Sequence, residues 1–578
     1  MPAAASNDDL PAHAPAPSAQ GIAGDAASPA ALSRLSKSLA GVRSVKSQRK
    51  ALELLKLSLM AIRVNDFDRA TQRALDALKI DETNGLAWHV LAICQEKQNR
   101  FSAAINAYEA ALQLLPDHTD IAHDLGRLAQ RLGYLEIAEK LLIKFLAANP
   151  GHIEATNNLA CVMRDQSRYG DAIELLRPLL QIVGDSAVLW NTLGTVLNDQ
   201  GRLDEALTFF EEALRLDPAF SKARYNRANV RRPLGDIAGA FEDMEAALPG
   251  AEGGYEIAMM QMALAIMSMG EARIPQAFEA YEARLDPNLP DAMHVHIEAP
   301  RWDPKTQDIR GQRVLVVGEQ GIADELVFAN CLNDIIEAVG PDGQVYVAVE
   351  ARMVGLFQRS FPKAIVGGHK AVRLEGRLTR YIPFADELEP KLDCWVPMAS
   401  LMAVYRPTLA AFPDHHGYIA ADPAKVDYWK GELAKLPQGL KVGLHWRSLI
   451  MTGSRAATFA SSFKRWEPVL STPGCVMVNL QCGDVSEDLA AAEAAGVFIW
   501  TPPINLKDDL EDVAALSVAC DVVLGPGIAG TNIAASCGAR TWMVAAPDDW
   551  HLMTTDHYVF YPDMKVFVRA AVDGWPDV

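Results

Sequence analysis

A chain of 578 residues is too long for a single hydrophobic core and should divide into two or three domains. Half of it is hydrophobic and 22% is charged, with a net charge of −19. That suits a globular protein and argues against a polyanion partner, because nucleic-acid binding needs a basic face that releases counterions. The eight cysteines form no C-x-x-C pair, no window offers about 18 uninterrupted apolar residues, and the first residues lack the regions of a signal peptide. Reduced thiols, no membrane span and a cytoplasmic location are therefore expected.

Residues 1–30 are rich in Ala, Pro, Ser and Gly, cannot bury enough apolar surface to offset ordering, and are expected to form a disordered tail. Arg34, Lys37, Arg43, Lys46, Arg49 and Lys50 then stand among leucines and serines, as on a solvated cap helix or an interaction arm. From Ala51 a period of 34 residues takes over. Its clearest unit, Ala187 to Pro218, carries Trp190, Leu193, Gly194, Gly201, Ala206, Phe210, Ala213 and Pro218 at the positions of the tetratricopeptide pattern. Earlier units show Leu159 and Ala172, then Leu125, Gly126 and Ala138, then Trp88, Ala104 and Tyr108; the first, with Leu57, Ala70 and Ala77, is degenerate. A last unit has Ala228, Gly235 and Ala240. Small residues let paired helices approach, large ones fill between units and the prolines end second helices, so these positions are structural. The segment 31–254 is thus an all-α solenoid resembling tetratricopeptide-repeat proteins. On its first-helix face Asn157, Asn191, Thr195, Asn198, Tyr225, Asn229 and Arg232 follow helical spacing and could hydrogen-bond the backbone of an extended protein partner.

Residues 255–310 leave the period and read as a helical linker into a second region. Beyond it, β-branched runs alternate with helical ones. Strands are expected at 313–317, 344–350 and 394–397, with helices near 326–338 and 351–360. A second set of strands follows at 441–446, 476–481, 497–500, 521–524, 541–545 and 566–568. The expectation is an α/β head of two Rossmann-like domains, 311–415 and 416–578, with ligands at the carboxyl ends of the strands.

Several phrases of the head resemble bacterial transferases related to the lipopolysaccharide heptosyltransferases, which are often fused behind tetratricopeptide repeats. Gln276–Arg284 and Pro300-Arg-Trp302 are similar to that family's link into the catalytic head, Glu319–Phe328 to its E-Q-G-x-G-D-x-x-x-F, and Val442–Trp446 to its V-G-x-x-W. Lys464-Arg-Trp466, Asn479-Leu-Gln481 and Asp508–Leu516 are similar to further motifs of the family. The chain departs from it in Gly525–Gly538, where Gly527 and Asn532 replace an Asp and a His, and at Ala323, which replaces a glycine. The physical pattern of that stretch remains strand, tight turn and helix, which aims free N–H groups and a positive dipole end at a donor phosphate.

The resemblance implies a GT-B type, metal-independent glycosyltransferase with no cofactor and a nucleotide sugar as co-substrate. Asp324 matches the family's acidic base on the acceptor side, with Glu319 and Glu325 as its rivals, either of which could instead cap the helix. The donor side would comprise Trp446, Arg447, Lys464, Gln481, Gly527, Gly530, Thr531 and Asn532. His445 and His551 read as ordinary structural histidines. Repeats followed by this head resemble the flagellin-modifying FlmG type. That implies flagellin as the protein acceptor, modified at Ser or Thr hydroxyls, and a CMP-activated nonulosonic acid such as pseudaminic acid as donor. Two other readings are a transferase acting on lipopolysaccharide or capsule glycan, and a catalytically inactive repeat scaffold.

Overall fold

A computed structural model describes residues 45–289, 292–374, 377–449, 463–546 and 549–569. The chain divides into two compact units, Met1–Gly250 and Ala251–Val578. The expected tail at 1–30 and the basic positions Arg34, Lys37 and Arg43 lie outside the described residues.

The first unit is an array of helix pairs. Val45–Arg63 packs with Phe67–Ile80, Gly85–Lys97 with Phe101–Leu114, and Thr119–Arg131 with Leu135–Ala148. Ile153–Asp165 with Tyr169–Ile182, Ala187–Asp199 with Leu203–Leu216, and Ser221–Arg231 with Ile237–Ala247 complete it. The small residues do the spacing expected of them. A Cβ on Gly194 would lie 2.6 Å from the Phe210 ring, and one on Gly126 3.1 Å from Leu142. The turn within each pair places one residue in the left-handed region: Asn65, Asn99, Gly133, Ser167, Gly201 and Gly235, with φ between 58° and 88°. These positions are 34 apart throughout, so the degenerate first unit keeps the register of the others even though its apolar pattern is weak.

The second unit holds two six-stranded sheets. In the first, the strands are β1 (His294–Val295), β2 (Arg313–Val317), β3 (Gln344–Glu350), β4 (Ile365–Leu374), β5 (Arg377–Tyr381) and β6 (Cys394–Pro397). They lie in the order β1-β5-β4-β3-β2-β6, and every pairing is parallel except the β4–β5 hairpin. The second sheet comprises β7 (Leu440–Leu444), β8 (Cys475–Asn479), β9 (Ile499–Trp500), β10 (Val522–Pro526), β11 (Thr541–Ala545) and β12 (Lys565–Val568). Its order is β12-β11-β10-β7-β8-β9, all parallel. Parallel strands need crossover segments that cover the faces, which is why their sequences are near-continuous apolar runs such as Val-Leu-Val-Val at 314–317.

Three local readings change. The segment 255–310 belongs to the head and is not purely helical: after the helices Gly253–Gly270 and Ile274–Tyr281 it supplies edge strand β1. The β4–β5 hairpin went unread because Gly367 and Gly368 interrupt the alternation of β4; a Cβ on Gly367 would strike the Phe384 ring at 2.3 Å. The helix expected at 326–338 is two helices, Ile322–Phe328 and Leu332–Val339, joined by a tight turn at Ala329–Cys331. There Asn330 Nδ2 donates back to the Val327 carbonyl at 2.6 Å while its Oδ1 accepts from Arg406 Nε at 2.8 Å, so the amide competes with the helix ladder.

A continuous apolar core joins the two sheets, running from Val314, Leu326 and Phe328 to Ile533, Met543 and Tyr558. Polar ties reinforce the junction. Arg359 forks onto Glu511 at 2.8–3.0 Å, Arg352 Nη1 donates to the Lys507 carbonyl at 2.7 Å, and the Tyr418 hydroxyl donates to the Leu326 carbonyl at 2.7 Å. Among the described residues no helix is long and apolar enough to cross a membrane.

Candidate functional site

In an open parallel sheet, ligands collect where the strand order reverses, beyond the carboxyl ends of the two strands that diverge. Each sheet has such a point: between β2 and β6 in the first, and between β7 and β10 in the second. The two are furnished in opposite ways.

At the first reversal the space is filled by an ion pair. Glu319, two residues past the end of β2, is buried and accepts from Arg284 Nε at 2.8 Å, from Arg284 Nη2 at 2.9 Å and from the Ala399 N–H at 2.8 Å. Arg284 is buried too and also donates to Ser400 Oγ at 2.9 Å. Burial pulls the guanidinium down, but the Glu319 charge more than reverses this and its net shift is upward. A carboxylate whose oxygens are so engaged is an anchor between the helical segment and the sheet. The next residue, Gln320, sits at φ 63°, and its Oε1 accepts from the Tyr281 hydroxyl at 3.0 Å. Glu325 is equally committed, to His369 Nε2 at 2.8 Å and the Glu350 N–H at 2.9 Å. Arg380 is buried beside it and donates to the Gln320 carbonyl at 3.1 Å, while its Nε has no acceptor among the described residues. Nothing in the sequence flagged His369 or Arg380, because both belong to the unread hairpin.

Asp324 lies between these two carboxylates in the sequence. It is half-buried in the first turn of the helix Ile322–Phe328, where the helix dipole favours a carboxylate. Burial and then the Asp324 charge push the Tyr281 phenol up, and that charge also reaches Tyr561 of the second half.

The second reversal is a polar corner. β7 ends into His445, and β10 ends into the turn Gly527-Ile528 and the helix Ala529–Ser536. The N-cap is Ile528, which makes no side-chain cap, so the first-turn amides have no acceptor from the helix or its cap. Two glycines make room for the imidazole. A Cβ on Gly525 would lie 2.8 Å from His445 Cβ and 2.6 Å from Thr531 Oγ1, and one on Gly530 would lie 2.1 Å from His445 Cε1. Around this corner His445 Nε2, Thr531 Oγ1 and Asn532 Oδ1 are all buried and have no hydrogen-bond partner among the described residues. The Asn532 amide is oriented by its Nδ2, which donates to the Ile528 carbonyl at 2.9 Å. Burial holds the His445 imidazole down to about 4, so the ring is neutral near pH 7. Buried polar atoms almost always find partners, so three orphans beside an uncapped helix N-terminus make this corner the candidate site.

The other donor-side residues of the sequence reading are placed as supports. Gln481 is buried; its Oε1 accepts from the N–H groups of Trp446 and Arg447 at 2.9 and 3.0 Å, clamping the chain that leaves β7. Trp446 is core, with its indole N–H on Asp488 at 3.0 Å. Arg447 is turned onto Asp488 at 2.8 Å and the Asp484 carbonyl at 2.7 Å, and Lys464 is exposed. Gly527, Gly530, Thr531 and Asn532 come together at the corner with His445, which the sequence reading ranked as an ordinary structural histidine.

Beyond β11, His551 Nδ1 lies 2.6 Å from Asp549 Oδ1, Tyr558 donates to the other Asp549 oxygen, and the imidazole stacks between Trp550 and Tyr558. Burial pushes the Asp549 carboxyl up, but His551 and Tyr558 more than reverse this and hold it below the usual carboxylate range. Among the described residues no group of three or more His, Cys, Asp or Glu could hold a metal ion.

In the repeat unit the amide ladder is partly consumed by the solenoid itself. Asn157 Oδ1 accepts from Thr192 Oγ1 of the next unit, and Asn191, which is buried, accepts from Asn226 Nδ2 at 2.8 Å. Thr195 Oγ1 donates to the Thr192 carbonyl at 2.7 Å, and Asn198 Nδ2 reaches Asp199 at 3.3 Å. Asn229 is exposed, while Tyr225 and Arg232 are half-buried.

The tetratricopeptide-repeat family matches residues 85–118, 123–187 and 185–258. Over 554 residues the chain is 43% identical to Protein FlbA of Caulobacter vibrioides, covering 96% of this chain and 92% of that protein. It is 25% identical over 232 residues to BBSome complex member BBS4 of Bos taurus, covering 40% of this chain and 44% of that protein. The crystal structure of PilW, a type IV pilus biogenesis factor, superposes with a TM-score of 0.33 at 23% identity, covering 38% of this chain and 99% of that one.

Proposed function

The chain belongs to the FlbA family, and from that premise we propose that it is a protein O-glycosyltransferase whose repeats hold flagellin while its head transfers a sugar to Ser or Thr hydroxyls. On this reading the two sheets are the paired Rossmann-like domains of a GT-B transferase. The donor is a nucleotide sugar, with a CMP-activated nonulosonic acid such as pseudaminic acid as the first choice. The observation that carries the proposal is the orphaned trio of His445 Nε2, Thr531 Oγ1 and Asn532 Oδ1 beside the uncapped helix Ala529–Ser536. An anionic phosphate is the ligand that free amides and a helix N-terminus favour. A neutral imidazole and a hydroxyl can each donate one further hydrogen bond to it.

The chemistry assigns one role to each half. The acceptor hydroxyl oxygen forms a bond to the anomeric carbon as the bond from that carbon to the donor phosphate breaks. The hydroxyl proton passes to Asp324, and the negative charge left on the phosphate is stabilised by the helix N-terminus. The packing of the helix Ile322–Phe328 on the helix Ala529–Ser536 supports this division of roles. Glu319 has no part in proton transfer on this account, because its oxygens are held by Arg284 and Ala399.

The test is intact-mass analysis of flagellin co-expressed with this chain. Flagellin should gain the mass of one or more sugars with the native protein, and Asp324→Asn should reduce the gain at least about 100-fold without lowering the melting temperature. Purified protein, flagellin and CMP-pseudaminic acid should reproduce the shift. If only another sugar nucleotide gives it, the donor assignment fails; if none does and the cell yields unmodified flagellin, the transferase assignment fails.

A further inference from the structure

The corner formed by His445, Thr531 and Asn532 offers hydrogen bonds but no mobile proton. Burial keeps the His445 ring neutral, and Arg447 is held on Asp488 at 2.8 Å. A phosphate that leaves a sugar gains from a group able to hand it a proton as its charge develops. Three histidine–carboxylate pairs occur among the described residues 416–569. Two are exposed: His416 with Asp563, at 91% and 59%, and His557 with Asp556, at 38% and 100%. The third, His551 with Asp549, is set back to 23% and 11% exposure, which leaves it sheltered yet reachable.

Strand β11 lies parallel beside β10, so the segment after it opens on the same carboxyl edge of the sheet as the turn Gly527-Ile528. There Asp549 caps the short helix Trp550–Leu552, its Oδ1 accepting from the His551 N–H at 3.1 Å and lying 2.6 Å from His551 Nδ1. Tyr558 donates to the other oxygen, and these partners hold the carboxyl below its usual range. An ionised carboxylate only accepts, so Nδ1 carries a hydrogen and Nε2 is the position left to meet a substrate. The ring is clamped, stacked on Trp550 at 3.7 Å and Tyr558 at 4.8 Å with Phe560 edge-on at 5.9 Å. Strained backbone follows it. Met553 and Thr554 sit at φ 42° and 67°, a region that suits neither side chain and a β-branched one least. Met553 is fully buried, and Thr555 Oγ1 lies 2.6 Å from both the Leu552 and His557 carbonyls, which fixes the turn. Strain of this kind persists where a site needs the geometry it produces.

Resting on the reading of the head as a glycosyltransferase, we propose that His551 is its proton donor, giving the Nε2 proton to the phosphate oxygen that leaves the anomeric carbon, with Asp549 as the residue that positions it. As the bond from the anomeric carbon to that oxygen breaks, its electron pair stays on the oxygen. The Nε2 proton moves onto the same oxygen, and the N–H electron pair remains on the ring. The Asp549 carboxylate holds Nδ1–H throughout and balances the positive charge that the ring carries before the step. Histidine titrates ordinarily near physiological pH, so the ring can give this proton and recover one from water as the products leave. Asp324 takes the acceptor proton on the first sheet's side, so one proton is removed from the acceptor and one is given to the phosphate.

The test measures initial rates of the full-length protein with flagellin and CMP-pseudaminic acid, or with the sugar nucleotide that replaces it if the donor assignment fails. His551→Ala should lower kcat at least about 100-fold while KM for the sugar nucleotide stays within about 3-fold. Added imidazole should restore at least about 10-fold of the loss. His551→Gln should show the same split of kcat against KM without rescue, because its amide fills the space, and should melt near the native temperature. His557→Gln, at an exposed pair, should transfer at the native rate. Where His551→Ala melts early, His551→Gln decides by the same split. Native kcat in the His551 variants overturns the proposal, as does a loss carried by KM alone or a loss in well-folded His551→Ala that imidazole leaves unrepaired. Native transfer with unaffected His551 variants overturns this role alone, whereas no transfer by the native protein overturns the transferase reading and this role with it.

Discussion

Arg284 meets Glu319 edge to edge, Nε on Oε2 at 2.8 Å and Nη2 on Oε1 at 2.9 Å, with both residues buried where the first sheet reverses its strand order. Removing one member of such a pair leaves the other charge uncompensated, which costs about 3–5 kcal/mol. Glu319→Gln should therefore lower unfolding free energy by an amount in that range in urea titration. A catalytic base at this position would behave in the opposite way, losing transfer with stability intact, so the same variant separates anchor from base.

His445 gives the protein an acid-side weakness. Burial lowers its folded-state value to about 4 from 6.5, so below pH 6.5 the unfolded chain binds the proton that the folded chain refuses. The stability due to the neutral ring is fully present above pH 6.5 and is lost as pH falls toward 4. A shift of this size corresponds to about 3 kcal/mol in all, and about 2 kcal/mol of it should be gone at pH 5. Urea midpoints at pH 7.5 and pH 5.0 should diverge in the native chain, and His445→Gln should flatten the part of that difference lying between pH 6.5 and 4.

Glycine substitutions should divide by what their Cβ would meet. Gly530→Ala would drive a methyl to 2.1 Å from His445 Cε1, displacing a buried ring at about 1–3 kcal/mol. Gly431, inside the helix Pro423–Leu433, has nothing within 4 Å of the same built atom. Gly431→Ala should raise stability by about 0.5–1 kcal/mol through helix propensity alone. Thermal unfolding of the two variants should move in opposite directions.

The left-handed turn of the repeats offers a simple stabilisation. Five of the six turn positions carry Asn or Gly, and the other is Ser167 at φ 60°. A β-carbon is strained in that region, more so without the local hydrogen bonding that favours Asn. Ser167→Gly should stabilise the array by up to about 1 kcal/mol, measured by chemical denaturation of the full chain.

The repeats were legible in the sequence because their constraint is local. A 34-residue step of small residues, aromatics and turn formers dictates helix pairs whatever surrounds them, and the left-handed series from Asn65 to Gly235 follows it without a break. The central parallel strands were legible for a similar reason, since burial on both faces writes an apolar run into each. The hairpin β4–β5 was not, because its glycines answer to Phe384 and Ala351, which only folding brings near.

At the site the sequence by itself determined the turn: Gly525-Pro-Gly-Ile-Ala-Gly between a strand and a helix fixes an uncapped N-terminus by local sterics and the lack of a capping side chain. Tertiary structure decided who faces it. The parallel order that sets β7 beside β10 carries His445, 80 residues upstream of Gly525, over that turn, and burial makes its imidazole neutral. The same kind of long-range choice separated Glu319 from Asp324, five residues apart in one motif, by giving Arg284 to the first and a half-exposed helix start to the second. Partners contributed by distant segments set charge state and hydrogen bonding, and no periodicity in the chain encodes them.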